Sequence, residues 1–444
     1  MATGKSISSS PSAPNHGGNV EVSRKTSGTY SQVSKFDLAL MYLLPLFALT
    51  TLLQELPVLS YLNRAMAFVA LILVMLALFK NGMSKWKYAL LGVYLAVVVI
   101  SAGLTHWTSQ AIAEAPRGIF CISLLLYYHE KRSFVDSFCV EHIKYLHAVI
   151  AIWTVLVAIS IPMKSSWASQ WGGSTYFCSY VKSAFQLMPT ALLVLALDLV
   201  MLKIEGKSVK ALIYCIVPLF AGLQGGSRTY FILTLTMVLL ILLNCRLTKF
   251  QILIIAALGL GIIGYQFASS GIGAKMLHTT SSQTMSYSGM DALGTLTSGR
   301  SEFWSYDIKA FFDLSFFQQF IGNGFSFSYT VNLETVGNSI FAHNDFINLL
   351  MESGYIGLFS YLVSICCVLK IARDKSKSGP IFFLILLIWL FNASINSFYP
   401  YTSAVISLVF TIASLSLGCA STNRNRTPLE ATWHSTFESY EPVQ

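Results

Sequence analysis

Runs of mostly apolar residues, each about 17 to 22 long and so about enough to cross 30 Å of hydrocarbon as helix, recur throughout this chain. They lie near 37–53, 62–79, 88–104, 111–127, 145–161, 183–202, 209–223, 228–244, 250–267, 345–370, 381–397 and 401–418. Hydrocarbon offers no hydrogen-bond partner to a bare backbone, so each run must satisfy its own amides and carbonyls, and helices do this within one segment. The expected fold is therefore all-α: a polytopic membrane protein of about twelve transmembrane helices with one large loop containing short helices. Only Gln224 to Ser227 separate the seventh and eighth runs, which could form one broken helix. With 54% hydrophobic and 11% charged residues, a soluble globular domain is excluded.

Lys and Arg orient such a chain, because short loops rich in them stay in the cytoplasm. With the N-terminus inside, inner segments carry about 21 of the 29 Lys and Arg, and only Arg117 lies within a span away from its ends. The net charge of +9 is then a topology signal, and nucleic acid is not an expected partner. Residues 1–36 and 419–444 are polar, lack an apolar signal core, and are expected as disordered cytoplasmic tails. Between them lie nine spans in 37–267, an outward loop over 268–342, and three spans in 343–418. Of eight cysteines only Cys178 falls in a clearly outward loop, so no disulfide framework is implied. The long loop is rich in Ser, Gly and Thr, but Phe303, Trp304, Ile308, Phe311 and Phe312 recur at helical spacing. That spacing predicts a short amphipathic helix at the membrane surface.

Polar residues that neither lipid nor topology explains gather on the outward side. Arg228, in QGGSRTYF, starts a span that Ser227 can cap. A guanidinium beside the positive end of a helix suits phosphate oxygens, whereas the alternative is an arginine snorkelling to the headgroups. Arg300, in TSGRSEFW, starts the loop helix, with Ser298 or Ser301 as cap; alone it could equally be a solvated surface residue. His343 precedes Asn344 and Asp345, either of which can cap the tenth span. A helix N-terminus favours neutral imidazole, which can accept a proton from a hydroxyl as a general base; otherwise it is a histidine bonded within the cap.

On a continuous helix Gly354 falls about 20° and Gly357 about 40° from the His343 face, in opposite directions, giving a side-chain-free strip running about 16 Å down. Such a strip forms a cleft for a lipid tail or a site of close helix packing. Glu352 falls about 180° around, away from the histidine. Arg117 lies in the fourth span beside Pro116 with Glu114 one turn above, either as a functional cation or as a neutralised pair. The sequence holds no Asp-x-Asp pair, His-Glu-x-x-His zinc motif, P-loop or Gly-x-Ser-x-Gly elbow. Chemistry without a metal or other cofactor, driven by Arg and His, is expected.

The ordered set SRTYF at 227–231, GR at 299–300 before an aromatic helix, IGNGFS at 321–326 and HNDFINLLMESGYIG at 343–357 resembles the O-antigen polymerase and O-antigen ligase superfamily. The resemblance covers about residues 210 to 370 and includes the pattern His-Asn, nine residues, Gly, two residues, Gly. It implies a bacterial inner-membrane glycosyltransferase, both termini cytoplasmic and the loop periplasmic, using an undecaprenyl-pyrophosphate-linked oligosaccharide as donor. Arg228 and Arg300, with Arg117 and Asn344, would bind the substrate, His343 would activate the acceptor hydroxyl, and Gly354 and Gly357 would shape the cleft. A polymerase acting on an acceptor glycolipid, with a chain-length regulator protein as partner, is expected ahead of a ligase that transfers the glycan to lipid A-core. A lipid-linked glycan transporter is the alternative from another class, but such proteins carry paired broken helices in inverted repeats, and no internal symmetry is visible here.

Overall fold

Two helices apolar on every side form the centre of the molecule: α6 (Ala184–Glu205), buried continuously from Leu187 to Leu202, and α14 (Thr402–Ser416), buried from Ser403 to Ser414. A helix without a polar face has nowhere to go but the interior, and these two pack together more extensively than any other pair. On α14 the small residues Ser403, Ser407 and Thr411 recur every fourth position and let the backbones approach. The Ser407, Thr411 and Ser414 hydroxyls bond back to carbonyls of their own helix at 2.6–2.7 Å, so none is stranded.

A computed structural model describes residues 34–105, 109–169, 175–248, 300–337, 339–376 and 378–417, with the isolated residues 251, 261 and 264. Among the described residues, nine further helices pack against this pair directly or through one another: α1 (Lys35–Leu52), α2 (Pro57–Asn81), α3 (Lys85–Thr105), α4 (Ser109–Glu141), α5 (Ile143–Ser160), α7 (Ser208–Gln224), α8 (Arg228–Asn244), α12 (Asp345–Lys375) and α13 (Gly379–Ile395). These belong to one compact unit, Val33–Gln444. A small hairpin, β1 (Trp167–Ser169) with β2 (Thr175–Phe177), links α5 to α6. Residues 268–299 of the loop lie outside the described residues; from residue 300 it folds as α9 (Arg300–Phe312), the expected aromatic helix, α10 (Phe316–Ile321) and α11 (Phe327–Val336). The seven described cysteines are all free.

The chain is thus a helical membrane protein, but the expected count of spans is met only in part. Seven described helices, α1 to α6 and α12, are long and apolar enough to cross a membrane. Four shorter apolar helices among those described, α7, α8, α13 and α14, have 15 to 17 residues, which at 1.5 Å per residue span only about 23–26 Å. The run at 250–267 and most of both tails lie outside the described residues. The fourth helix is broken at Lys131 (φ −109°, ψ 19°), and a second helical segment continues from there to Glu141. The expected inner loop at 128–144 is therefore mostly helix. The seventh and eighth runs are two helices: Gly226 (φ 67°) turns the chain, and at Gly222 an added Cβ would lie 3.0 Å from the Thr234 side chain, so the pair packs closely.

Candidate functional site

His343 lies in a short extended segment held from three sides. Trp304 of α9 donates to the Ala342 carbonyl at 2.6 Å, Asn332 of α11 to the Ile340 carbonyl at 3.0 Å, and the Ala342 amide to Asn348 of α12 at 3.1 Å. Directly after it the backbone reverses: His343 has φ 54°, and Asn344 then caps α12, accepting from Phe346 and Ile347 amides. The imidazole rests against Phe341 and Phe185, with ring centroids 4.0 and 5.9 Å away, and its Nδ1 is enclosed without a hydrogen-bond partner. Burial first, and then the charge of Arg300, push its pKa down to about 3 against a hydrogen bond to the Asn396 backbone. It is therefore neutral at pH 7, and one ring nitrogen carries a lone pair.

Arg300 donates to the Ile395 carbonyl at 2.6 Å, at the C-terminus of α13 where the helix dipole is negative. Its guanidinium lies 6.0 Å from the centre of the Phe185 ring. Burial lowers its pKa, the phenols of Tyr230 and Tyr401 oppose that, and the charge of Arg228 adds to it, so the two arginines sense each other. A guanidinium has five N–H donors, and one carbonyl does not exhaust them. Arg228 opens α8, half-buried, behind Ser227, whose side chain accepts from the Tyr230 amide as expected. Tyr401, at the start of α14, lies within electrostatic range of both Arg117 and Arg300. Arg117 thus belongs to the same neighbourhood. It is not enclosed within the bundle: its side chain is 45% exposed and pairs with Glu114 at 3.7 Å. Tyr329 of α11 donates to that carboxylate at 2.8 Å and stacks toward Phe341, which closes the circle.

Arg300 and His343 thus flank Phe185, Arg228 lies within electrostatic range of Arg300, and Arg117 is linked to His343 through Glu114, Tyr329 and Phe341. Three guanidinium groups and a neutral imidazole can hold an anion of several charges while accepting a proton beside it. The other residues singled out in the sequence do different work. Asn344 spends its amide on capping α12 and on the Ser394 carbonyl, 3.0 Å away, so its role is to tie α12 to α13.

The cleft expected from Gly354 and Gly357 is also replaced by packing. Helix α12 is broken at Gly354 (φ 63°, ψ −163°), which removes the continuous-helix geometry behind that expectation. A Cβ at Gly354 would strike the backbone of Gln319 and Phe320, and one at Gly357 the Ser353 side chain. The break leaves carbonyls that the helix no longer serves, and neighbours take them: Asn323 N donates to Met351 O, while Gly324 N and Ser101 Oγ donate to Glu352 O. The conspicuous IGNG segment is thus a clasp on α12.

A polar face on α12 escaped the sequence reading. Asp345 receives the Phe398 and Tyr399 amides and the Tyr361 hydroxyl at 2.8–3.1 Å, Asn348 reaches Ser397, and Glu352 receives the Tyr399 hydroxyl at 2.6 Å. All three side chains grip the turn before α14. Their spacing of three and four is the signal that would have found them. Glu352 is engaged by the Tyr399 hydroxyl. Among the described residues no group of three His, Cys, Asp or Glu is placed to hold a metal ion. No protein-family model matches the sequence, and no curated protein matches it either.

Proposed function

We propose that the chain is a glycosyltransferase that joins polyprenyl-pyrophosphate-linked oligosaccharides, and specifically a repeat-unit (O-antigen) polymerase. The observation that carries this reading is the meeting of Arg228, Arg300 and His343, which are far apart in sequence and lie with Arg117 in one aromatic-walled neighbourhood. A pyrophosphate leaving group needs concentrated positive charge that is already in place, and arginine forks supply it. In the reaction the acceptor hydroxyl attacks the anomeric carbon in line, its proton passes to the neutral His343, and the bond from that carbon to the pyrophosphate oxygen breaks with inversion. Arg228 and Arg300 receive the charge that develops on the departing oxygen, with Arg117 beside them. Bound pyrophosphate offsets the field of Arg300 that holds the imidazole pKa down, so donor binding makes His343 a stronger base. With this reading goes a topology of about twelve spans in a bacterial inner membrane, both termini inside and the site outside, as the inner clustering of Lys and Arg indicates.

The test is product analysis of the purified protein in proteoliposomes supplied with lipid-linked repeat units and lipid A-core. The polymerase predicts longer glycans on the polyprenyl carrier. Glycan on lipid A-core would make the protein a ligase, and protected movement of donor without transfer would make it a transporter.

A further inference from the structure

The opposite end of the α7–α8 pair carries a second polar site. Helix α7 starts and α8 ends there, so it lies at the far end of both helices from Arg228. A cavity of about 550 Å³ opens between them, lined by Lys207, Ser208, Val209, Lys210, Ile213 and Arg246 among others. Three cations line it, and none of its described lining residues is an acid. The nearest carboxylate, Glu205, stands to one side, bound by Lys207 at 3.3 Å, Lys210 at 3.6 Å and His147 at 2.8 Å. The lining keeps a positive excess even after that pairing.

The surface that leads away from the cations is apolar. Val209, Ile213 and Ile216, at i, i+4 and i+7 on α7, are 67, 57 and 62% exposed and form one column running from the cavity along the helix toward the membrane interior. A soluble phosphate has no use for such a column. A phospholipid does, because its phosphate and its chains must be met together, and basic pockets between helices at a membrane boundary suit anionic headgroups. We propose that this cavity holds the headgroup of one anionic phospholipid, with an acyl chain along Val209, Ile213 and Ile216. The inference is independent of the transfer reaction and uses none of its residues.

The experiment is native mass spectrometry of the full chain released from nanodiscs containing equal amounts of phosphatidylglycerol and phosphatidylcholine. The wild type is expected to retain phosphatidylglycerol selectively, and inorganic phosphate in excess is expected not to displace it. The double variant Lys207→Gln, Arg246→Gln leaves Lys210 to hold Glu205 and should bind that lipid roughly 30-fold more weakly, at about fivefold per cation. Equal retention of both lipids, unchanged retention by the double variant, or displacement by inorganic phosphate would each overturn the proposal. Should the double variant melt early, Ile216→Ser carries the test, since Ile216 belongs to the apolar column and does not line the cavity. Weaker phosphatidylglycerol retention by it supports the site, and unchanged retention contradicts it.

Discussion

His343 combines two properties seldom found in one residue, a left-handed backbone (φ 54°) and an imidazole held neutral by burial and by Arg300. The first means that Asn, which tolerates that conformation, should replace it with little loss of stability, whereas a β-branched residue should not. The second sets a pH dependence. The folded pKa of about 3 lies below the ordinary value of 6.5, so between those limits the unfolded chain binds a proton that the folded chain refuses, and stability falls as pH falls. Thermal unfolding in detergent should show this acid sensitivity, reduced in His343→Asn. Asp307 has the opposite sign. Burial raises its carboxyl to about 7 despite bonds from Ser328 and Asn332, so the stability linked to its proton is full below about pH 4 and lost as pH rises through 7. Asp307→Asn should therefore flatten the alkaline side of the same profile. At this scale much of the site was legible, because Arg228, Arg300 and His343 each stand at a helix start in a chain with few charges. Tyr401, Phe185 and Phe341 were not, since aromatic residues are ordinary in membrane helices and only folding reveals which of them wall a site.

The elements show why the glycines of α12 misled. Periodicity assumes an unbroken helix, and Gly354 is where this one breaks to accept the IGNG clasp. Gly354→Ala should destabilise the protein by about 1–3 kcal/mol or more, through a strained φ and collision with the Phe320 backbone. Gly92→Ala, where an added Cβ meets nothing, is the matched control and should be nearly neutral. Trp304→Phe should cost about 1 kcal/mol for the lost bond to Ala342. Because that bond fixes the segment carrying His343, turnover should fall more than stability does. Helix ends were readable where a cap was local, as at Ser227 and Asn344. The grip of Asp345, Asn348 and Glu352 on residues some 50 positions later was not, because a tertiary partner leaves no trace in local sequence.

For the whole molecule, two all-round apolar helices form the axis, and chemistry-bearing side chains collect at one end while the basic groove of α7 and α8 sits at the other. That polarity predicts a labelling pattern. In a cysteine-free background, single cysteines replacing the exposed Lys182 and Asp313 should react with an impermeant maleimide from outside, and one replacing Arg373 only after permeabilisation; the reverse pattern would invert the topology. The central claim is that the arginines and His343 form one transfer site. Its most direct measurement is single-turnover transfer between lipid-linked repeat units in proteoliposomes, comparing the wild type with His343→Asn and Arg300→Gln variants of verified fold. The expected loss is about 10²–10⁴-fold without the base and on the order of 10²-fold or more without the guanidinium. Turnover by a well-folded His343→Asn protein at the wild-type rate would contradict it.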